Sequence, residues 1–333
     1  MKIWRTLLWV LVAEMAAGGW LACSKKGATP VDDTQRGGVA GGQSVVRVAY
    51  LPILVCSPFF VAQDKRLFQA EGVAVESQPF ASSNQVVEAL LSGRTDAAMS
   101  LAQSVAVTVE AKQPGQFRVF MVNAQTSKDY LSSLVVKKDS PIREVRQLRG
   151  KKVGCFPGQT AHVYLEMTLE KYGLGKTDVT IQEIDPASHL QALEAGSIDA
   201  LLTYEPTTTI GVERGLVRPL IEGAFEKNVI DPWVGGVFVL RRTFVDEHPD
   251  EARRFVRALD RAVDFIRAHP LEAKLTLTRF IPIDEQIARK TTNIPYWKLG
   301  EIDREQVQKQ TDMLTEKGIL PTRVDTRAGY YVP

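Results

Sequence analysis

The chain has 333 residues, of which 44% are apolar and 24% charged, and its formal net charge is +2. This length suits two domains of ordinary size, and this balance describes a folded body rather than a disordered one. A charge so near neutral argues against the basic field that nucleic-acid binding needs, and three cysteines without metal-ligand spacing argue against a disulfide framework or a zinc site.

The first residues read as a targeting segment. Lys2 and Arg5 precede an apolar run, Leu7 to Ala13, followed by Ala16-Ala17-Gly18-Gly19 and then Trp20-Leu21-Ala22-Cys23. A basic start, a short apolar stretch and a small-residue exit describe a secretory signal. A membrane span needs about 20 apolar residues, and Glu14 interrupts this stretch. Leu21-Ala22-Cys23 resembles the lipobox of bacterial lipoproteins, although Trp20 stands where leucine is usual. That resemblance implies that residues 1–22 are removed and that Cys23 is acylated; a plain cleaved signal with an incidental cysteine is the alternative. Residues 23–44 carry Lys25-Lys26, Asp32-Asp33, Gly37-Gly38 and Gly41-Gly42 but little apolar surface, so they read as a flexible tether.

The remaining elements come in pairs. Val46 to Tyr50 alternates as a strand and runs into Leu51-Pro52; Phe59, Phe60, Ala62 and Leu67 mark a helix, and Val73 to Pro79 a second strand. In the second half, Lys152 to Phe156 is a strand running into Pro157-Gly158. Val163, Leu165, Met167, Leu169 and Tyr172 carry a helix, and Val179 to Ile184 is the next strand. Each half then holds the same string: residues 89–100, ALLSGRTDAAMS, are echoed 103 positions later by residues 192–203, ALEAGSIDALLT. In both copies a helix ends at a glycine suited to a left-handed cap, a turn carries Asp96 or Asp199, and a buried strand begins. The two aspartates read as turn and cap residues. Two β-α-β-α-β units predict two similar α/β lobes with mostly parallel sheets. Such sheets bind ligands beyond the carboxyl ends of their strands, here in the cleft between the lobes.

Tyr50-Leu51-Pro52 with Pro58-Phe59-Phe60-Val61-Ala62, and Leu67-Phe68 with Glu71-Gly72, resemble the opening of ABC-transporter solute-binding proteins of the nitrate, sulfonate, taurine and thiamine-pyrimidine-precursor type. Residues 148–154 (LRGKKVG), 195–200 (AGSIDA) and Tyr204-Glu205-Pro206 fit the same pattern, which runs from about Val46 to Val324. The resemblance implies a periplasmic-binding-protein-like fold of type II, with a hinge that the chain crosses twice. Lobe one is expected at residues 45–138 and 235–333, and lobe two at 139–234. It further implies an ABC permease and its ATPase as partners, no cofactor, and a monomer held by its lipid on the periplasmic or cell-surface face of a bacterial membrane.

Candidate contacts follow from the strand ends. Gln159, Thr160, Ala161 and His162 start a helix after Pro157-Gly158, and its N–H groups with the Thr hydroxyl suit a sulfonate or carboxylate oxygen. A cap that serves only its own helix is the alternative. Ser83 and Asn84 hold the equivalent turn of lobe one, where capping also explains one of them. Leu54, Val55 and Ser57 lie where the family contacts solute, and their mainly apolar character suits a hydrophobic body; a hydrophobic loop packed under the helix is the alternative. Ser100 follows the strand begun at Asp96, and Asn123 and Gln125 end the next one. Glu205 either meets an amino or aminopyrimidine group or braces the hinge. Cys56 and Cys155 read as buried small hydrophobes, since a bridge between them would oppose opening.

The function that fits is capture of a small organic solute, an organosulfonate, aromatic acid or pyrimidine-like compound, without chemistry. No nucleophile triad, paired carboxylates or metal constellation stands out. Two other classes remain: a sensor that presents bound ligand to a membrane receptor, and an enzyme like the pyrimidine synthases, whose cysteine-rich motif is absent from this sequence.

Overall fold

The computed structural model describes residues 45–330; the expected leader, Cys23 and the tether lie outside the described residues, as does the side chain of Gln159. The first half of lobe one runs β1 (Val45–Tyr50), α1 (Ser57–Asp64), α2 (Leu67–Ala70), β2 (Ala74–Pro79), α3 (Ser83–Leu91), β3 (Ala97–Ala102), α4 (Gln103–Lys112) and β4 (Phe117–Gln125). Lobe two follows as β5 (Ser132–Lys137), β6 (Lys152–Cys155), α5 (Gln159–Glu170), β7 (Thr180–Glu183), α6 (His189–Glu194), β8 (Ala200–Tyr204), α7 (Thr207–Glu213) and β9 (Val217–Glu222). The chain then returns through β10 (Trp233–Arg241), α8 (Arg242–Glu247), α9 (Pro249–Ala268), α10 (Pro270–Thr276), α11 (Glu285–Lys290), β11 (Tyr296–Lys298) and α12 (Arg304–Glu316).

Two sheets result, ordered β11-β4-β10-β3-β1-β2 and β7-β6-β8-β5-β9. The β-α-β-α-β units pair in parallel as their sequence pattern predicts, β1 with β2 and β3, and β6 with β7 and β8. The strands next to the crossings insert antiparallel: β10 between β3 and β4, and β5 between β8 and β9. Both sheets are therefore mixed. One expected boundary shifts. Residues 132–137 pair wholly inside the second sheet, so the first crossing runs through residues 126–131 rather than near residue 138. The second crossing occupies residues 223–232, ending where β10 begins at Trp233.

The repeated aspartate has a physical reason beyond turn formation. Asp96 precedes β3 and bonds the start of β1: its carboxylate accepts the Arg47 N–H at 3.1 Å, and its own N–H donates to Arg47 O at 2.7 Å. Asp199 does the same in lobe two, accepting from Lys152 N–H at 2.9 Å and donating to Lys152 O at 2.8 Å. Each Asp thus closes the first rung of a parallel strand pair. Asp96 carries more. Its side chain is 3% exposed and also takes the Arg47 guanidinium in a two-pronged bond, with Arg241 from β10 at 2.9 Å. Burial pushes its pKa up, but the arginine bonds outweigh that and hold it below the ordinary carboxylate value. The reading of Asp96 as a turn and cap residue is corrected: it fastens three strands of one sheet.

Packing follows from side-chain spacing. In α9, Pro249 opens the helix, Asp250 and Glu251 stand in its first turn, and Arg267 in its last, matching the helix dipole at both ends. Its buried residues Ala252, Phe255, Val256, Leu259 and Val263 form one stripe along the helix and cover one face of the first sheet, where Phe255 stacks on Phe68 at 5.1 Å. Val86, Leu90, Val122 and Val237 fill the opposite face. Asp96→Ala is expected to lower stability by about 3 kcal/mol, since it leaves two arginines without their carboxylate. Asp199→Ala should cost about 1 kcal/mol, the net worth of one hydrogen bond. Urea unfolding of both variants checks the difference, and equal losses would refute it.

Candidate functional site

The carboxyl ends of the strands in both sheets gather at the crossings, and one carboxylate laces these together. Glu226, 1% exposed, lies in the second crossing. Its oxygens accept Leu131 N–H at 2.9 Å, Ser132 N–H at 3.3 Å and the Ser132 hydroxyl at 2.6 Å, and Ser132 Oγ in turn accepts Phe225 N–H at 2.9 Å. Burial pushes the Glu226 pKa up, while these donors pull it down.

Against this base stands an aromatic wall. Phe156, at the end of β6, stacks on Tyr204, at the end of β8, with centroids 4.3 Å apart. Trp233 joins from β10, its ring 6.2 Å from Tyr204, 5.2 Å from Phe225 and 5.9 Å from Tyr164. His189 fixes the wall from behind. Its ring meets Phe156 edge-on at 4.5 Å, Nε2 lies 3.1 Å from Ile184 O, and Nδ1 lies 3.1 Å from Thr203 Oγ1. A carbonyl only accepts, so Nε2 carries the proton and Nδ1 accepts from the threonine. The imidazole is fully buried, and burial holds its pKa below the ordinary value.

Lobe one contributes a polar row and a loop. Ser100, Asn123 and Gln125 are hydrogen-bonded in sequence at the ends of β3 and β4. The loop after β1 is pinned by Tyr296, whose hydroxyl donates to Val55 O at 3.2 Å, and by Cys56, whose thiol donates to Met99 O. A groove of about 390 Å³ opens between the end of α9, the start of α10 and residues 293–297, with Asp129 of the first crossing at its rim. A narrower channel lined by Lys274 and Tyr296 adjoins it and reaches Leu54 and Ser57. Lys274 Nζ donates to Thr291 O at 2.6 Å; burial lowers its pKa, and the charges of Asp129 and Glu205 oppose that.

A family model described as NMT1/THI5 like matches residues 55–273, more than half of the chain. The chain belongs to the NMT1/THI5-like family. Among relatives, it is 27% identical over 241 residues to a putative aliphatic sulfonates-binding protein of Bacillus subtilis, covering 69% of this chain and 68% of that one. It is 23% identical over 227 residues to the 4-amino-5-hydroxymethyl-2-methylpyrimidine phosphate synthase THI13 of Saccharomyces cerevisiae, covering 65% and 64%. In fold it matches the alkanesulfonate-binding protein SsuA from Xanthomonas axonopodis pv. citri bound to MOPS, with a TM-score of 0.71 and 21% identity over 88% of this chain and 99% of that one. The periplasmic-binding-protein-like architecture is thereby established, and the family holds both solute-binding proteins and an enzyme.

Within this NMT1/THI5-like chain the expected contacts fall into three groups. Leu54, Val55 and Ser57 meet around Tyr296, and Ser100 meets Asn123 directly. Thr160, Ala161 and His162 lie in the first turn of α5; no hydrogen bond or ring contact among the described residues joins them to lobe one. There the Gly158 N–H donates to Glu183 Oε1 at 3.0 Å, which sets a negative charge at the helix start, and His162 Nε2 lies 3.4 Å from Glu166. Two candidates do structural work. Ser83 Oγ accepts the Ala102 N–H at 3.4 Å, beside an exposed Asn84, and Ser82 rather than either of them caps α3. Glu205 takes the Thr209 N–H and hydroxyl on Oε2, and burial raises its pKa. Cys56 and Cys155 are free and buried, with both thiols pushed up to about 12, which suits packing rather than nucleophilic use. No transmembrane-length apolar helix and no group of metal-ligating side chains occurs among the described residues.

Sequence reasoning passed over Glu226, Lys274, Tyr296 and the bracing role of His189, because each acts through chain segments far away in sequence. His189 yields a test. The unfolded chain takes up a proton near the ordinary histidine value of 6.5, and the folded chain refuses it. Its contribution to stability is therefore complete above that pH and is lost as pH falls toward the lower folded value. Stability measured from pH 8 to pH 5 should fall more steeply for the wild type than for His189→Gln, and parallel profiles would exclude a buried neutral imidazole.

Proposed function

We propose that this protein is an extracytoplasmic solute-binding lipoprotein of an ABC importer. It takes a small organic solute, an organosulfonate, an aromatic acid or a pyrimidine-like compound, into the cleft between two closing lobes. The loaded, closed form then docks as a monomer on a permease driven by its ATPase. Membership in the NMT1/THI5-like family and likeness to a putative aliphatic sulfonates-binding protein support solute capture. The observation that carries the reading is the meeting at Trp233 of two surfaces of different kind. An aromatic wall comes from lobe two and a polar row from lobe one, on a base of two short crossings. An apolar face opposite a few placed polar groups suits a small organic molecule better than a bare inorganic ion.

The lobes taken to move are residues 45–125 with 233–330, and residues 132–222. Ligand that touches both lobes stabilises the closed form by its difference in affinity for the two states. A thermal-shift screen across the three solute classes should raise the melting temperature for members of one class, because ligand binds only the folded state. The same hit should reduce the radius of gyration in small-angle scattering and change tryptophan emission through Trp233. Stoichiometric binding with unchanged scattering would count against closure.

The anchor is tested separately. The wild-type protein should partition into the detergent phase of a membrane extract, and Cys23→Ala should move it to the aqueous phase. A wild type found wholly in the aqueous phase removes the lipid from the proposal.

A further inference from the structure

Buried polar atoms in folded proteins are nearly always paired, so an exception calls for a cause. The row in lobe one ends in such an exception. Asn123 Nδ2 donates to Ser100 Oγ at 2.7 Å, and Gln125 Nε2 donates to Asn123 Oδ1 at 2.9 Å. One amide N–H of each residue points along the row, which terminates at Gln125 Oε1, an atom with neither a protein partner nor solvent. Gln125 and Asn123 are fully buried.

The backbone is shaped around this row. A Cβ on Gly235 would stand 2.8 Å from both Asn123 Oδ1 and Gln125 Oε1, and one on Gly236 would stand 2.7 Å from Ser100 Oγ. Two adjacent residues without side chains let the amides lie against β10. Ser100 itself holds the left-handed φ of +56°, uncommon outside glycine, asparagine and aspartate, and characteristic of functional sites.

No donor of the protein bonds this acceptor. Trp233 Nε1 and Tyr164 OH also lack partners of good geometry, but their rings meet edge-on at 5.9 Å, near enough for indole and phenol to serve each other. Gln125 is the last residue of β4, opposite Trp233 and next to the first crossing, which sets it at the base of the cleft. At the start of α5, Glu183 already occupies the Gly158 N–H, so that helix end is taken by an acid of the protein itself.

We propose that Gln125 Oε1 is a specificity-determining contact, accepting a hydrogen bond from an N–H or O–H group of the solute, so that the cleft selects donor-bearing organic solutes over acceptor-only molecules of the same shape. The inference rests on the solute-binding reading above and narrows its ligand class. Within each class it points to the amino-bearing member.

Matched pairs test it by calorimetric titration of the full mature protein: 2-aminoethanesulfonate against propanesulfonate, 4-aminobenzoate against 4-methylbenzoate, and 4-aminopyrimidine against 4-methylpyrimidine. In the pair that binds, the amino member should bind at least about tenfold more tightly, because its absence leaves a buried acceptor unmet. Gln125→Met, close in shape, should bring that ratio to about one; should this variant not fold, the wild-type ratio decides alone. Equal affinity within a pair, or tighter binding of the methyl member, overturns the inference and leaves solute capture standing. Failure of all six compounds to bind overturns both.

Discussion

Glu226 is the point on which the two halves of this molecule depend. A buried carboxyl group is costly unless its oxygens are met by donors, and here Leu131 N–H, at the end of the first crossing, and the N–H and hydroxyl of Ser132, which opens β5, meet it. Because Ser132 also accepts from Phe225, the two crossings form one laced strap instead of two independent linkers. The aromatic wall and the polar row both stand at the edges of this strap.

Much of the fold was legible because it repeats. The string from Ala89 to Ser100 and its echo at Ala192 to Thr203 mark the same helix-turn-strand passage, and the strands fall where the alternation and turn residues put them. The function of the repeated aspartate was not legible. Its meaning lies in a rung to the start of a neighbouring strand, Arg47 in one lobe and Lys152 in the other, each nearly fifty residues upstream. The added load on Asp96 comes from Arg241, brought in by a strand on the far side of lobe two. The misplaced first crossing has a similar cause. Residues 132–137 read as an apolar strand in either lobe, and pairing with β8 and β9 decides which.

The site was partly legible, for a physical reason that separates its residues. Positions at strand ends are fixed by local pattern, so Ser100 and Asn123 could be placed as candidates from the chain alone, while Leu54 and Ser57 came from the family resemblance. Whether a side chain there is spent on the protein is a tertiary fact. Ser83 holds the end of β3, and Glu205 holds Thr209, while Gln125 has an oxygen left over. His189, plain in sequence as a residue near a helix start, becomes a buried brace because Thr203 of β8 and Ile184, just past β7, converge on it.

The order of strands also dictates when the chain can finish folding. The second sheet is made of one continuous stretch, residues 132–222, so every partner it needs is present once that stretch exists. The first sheet is different: β10 lies between β3 and β4, yet it follows them by more than a hundred residues and comes after all of lobe two. Until it arrives, β3 and β4 each expose an unpaired edge, and the buried Asp96 lacks Arg241. A chain emerging from its N-terminus therefore completes its second lobe before its first, and the first stays open until nearly three quarters of the sequence is available.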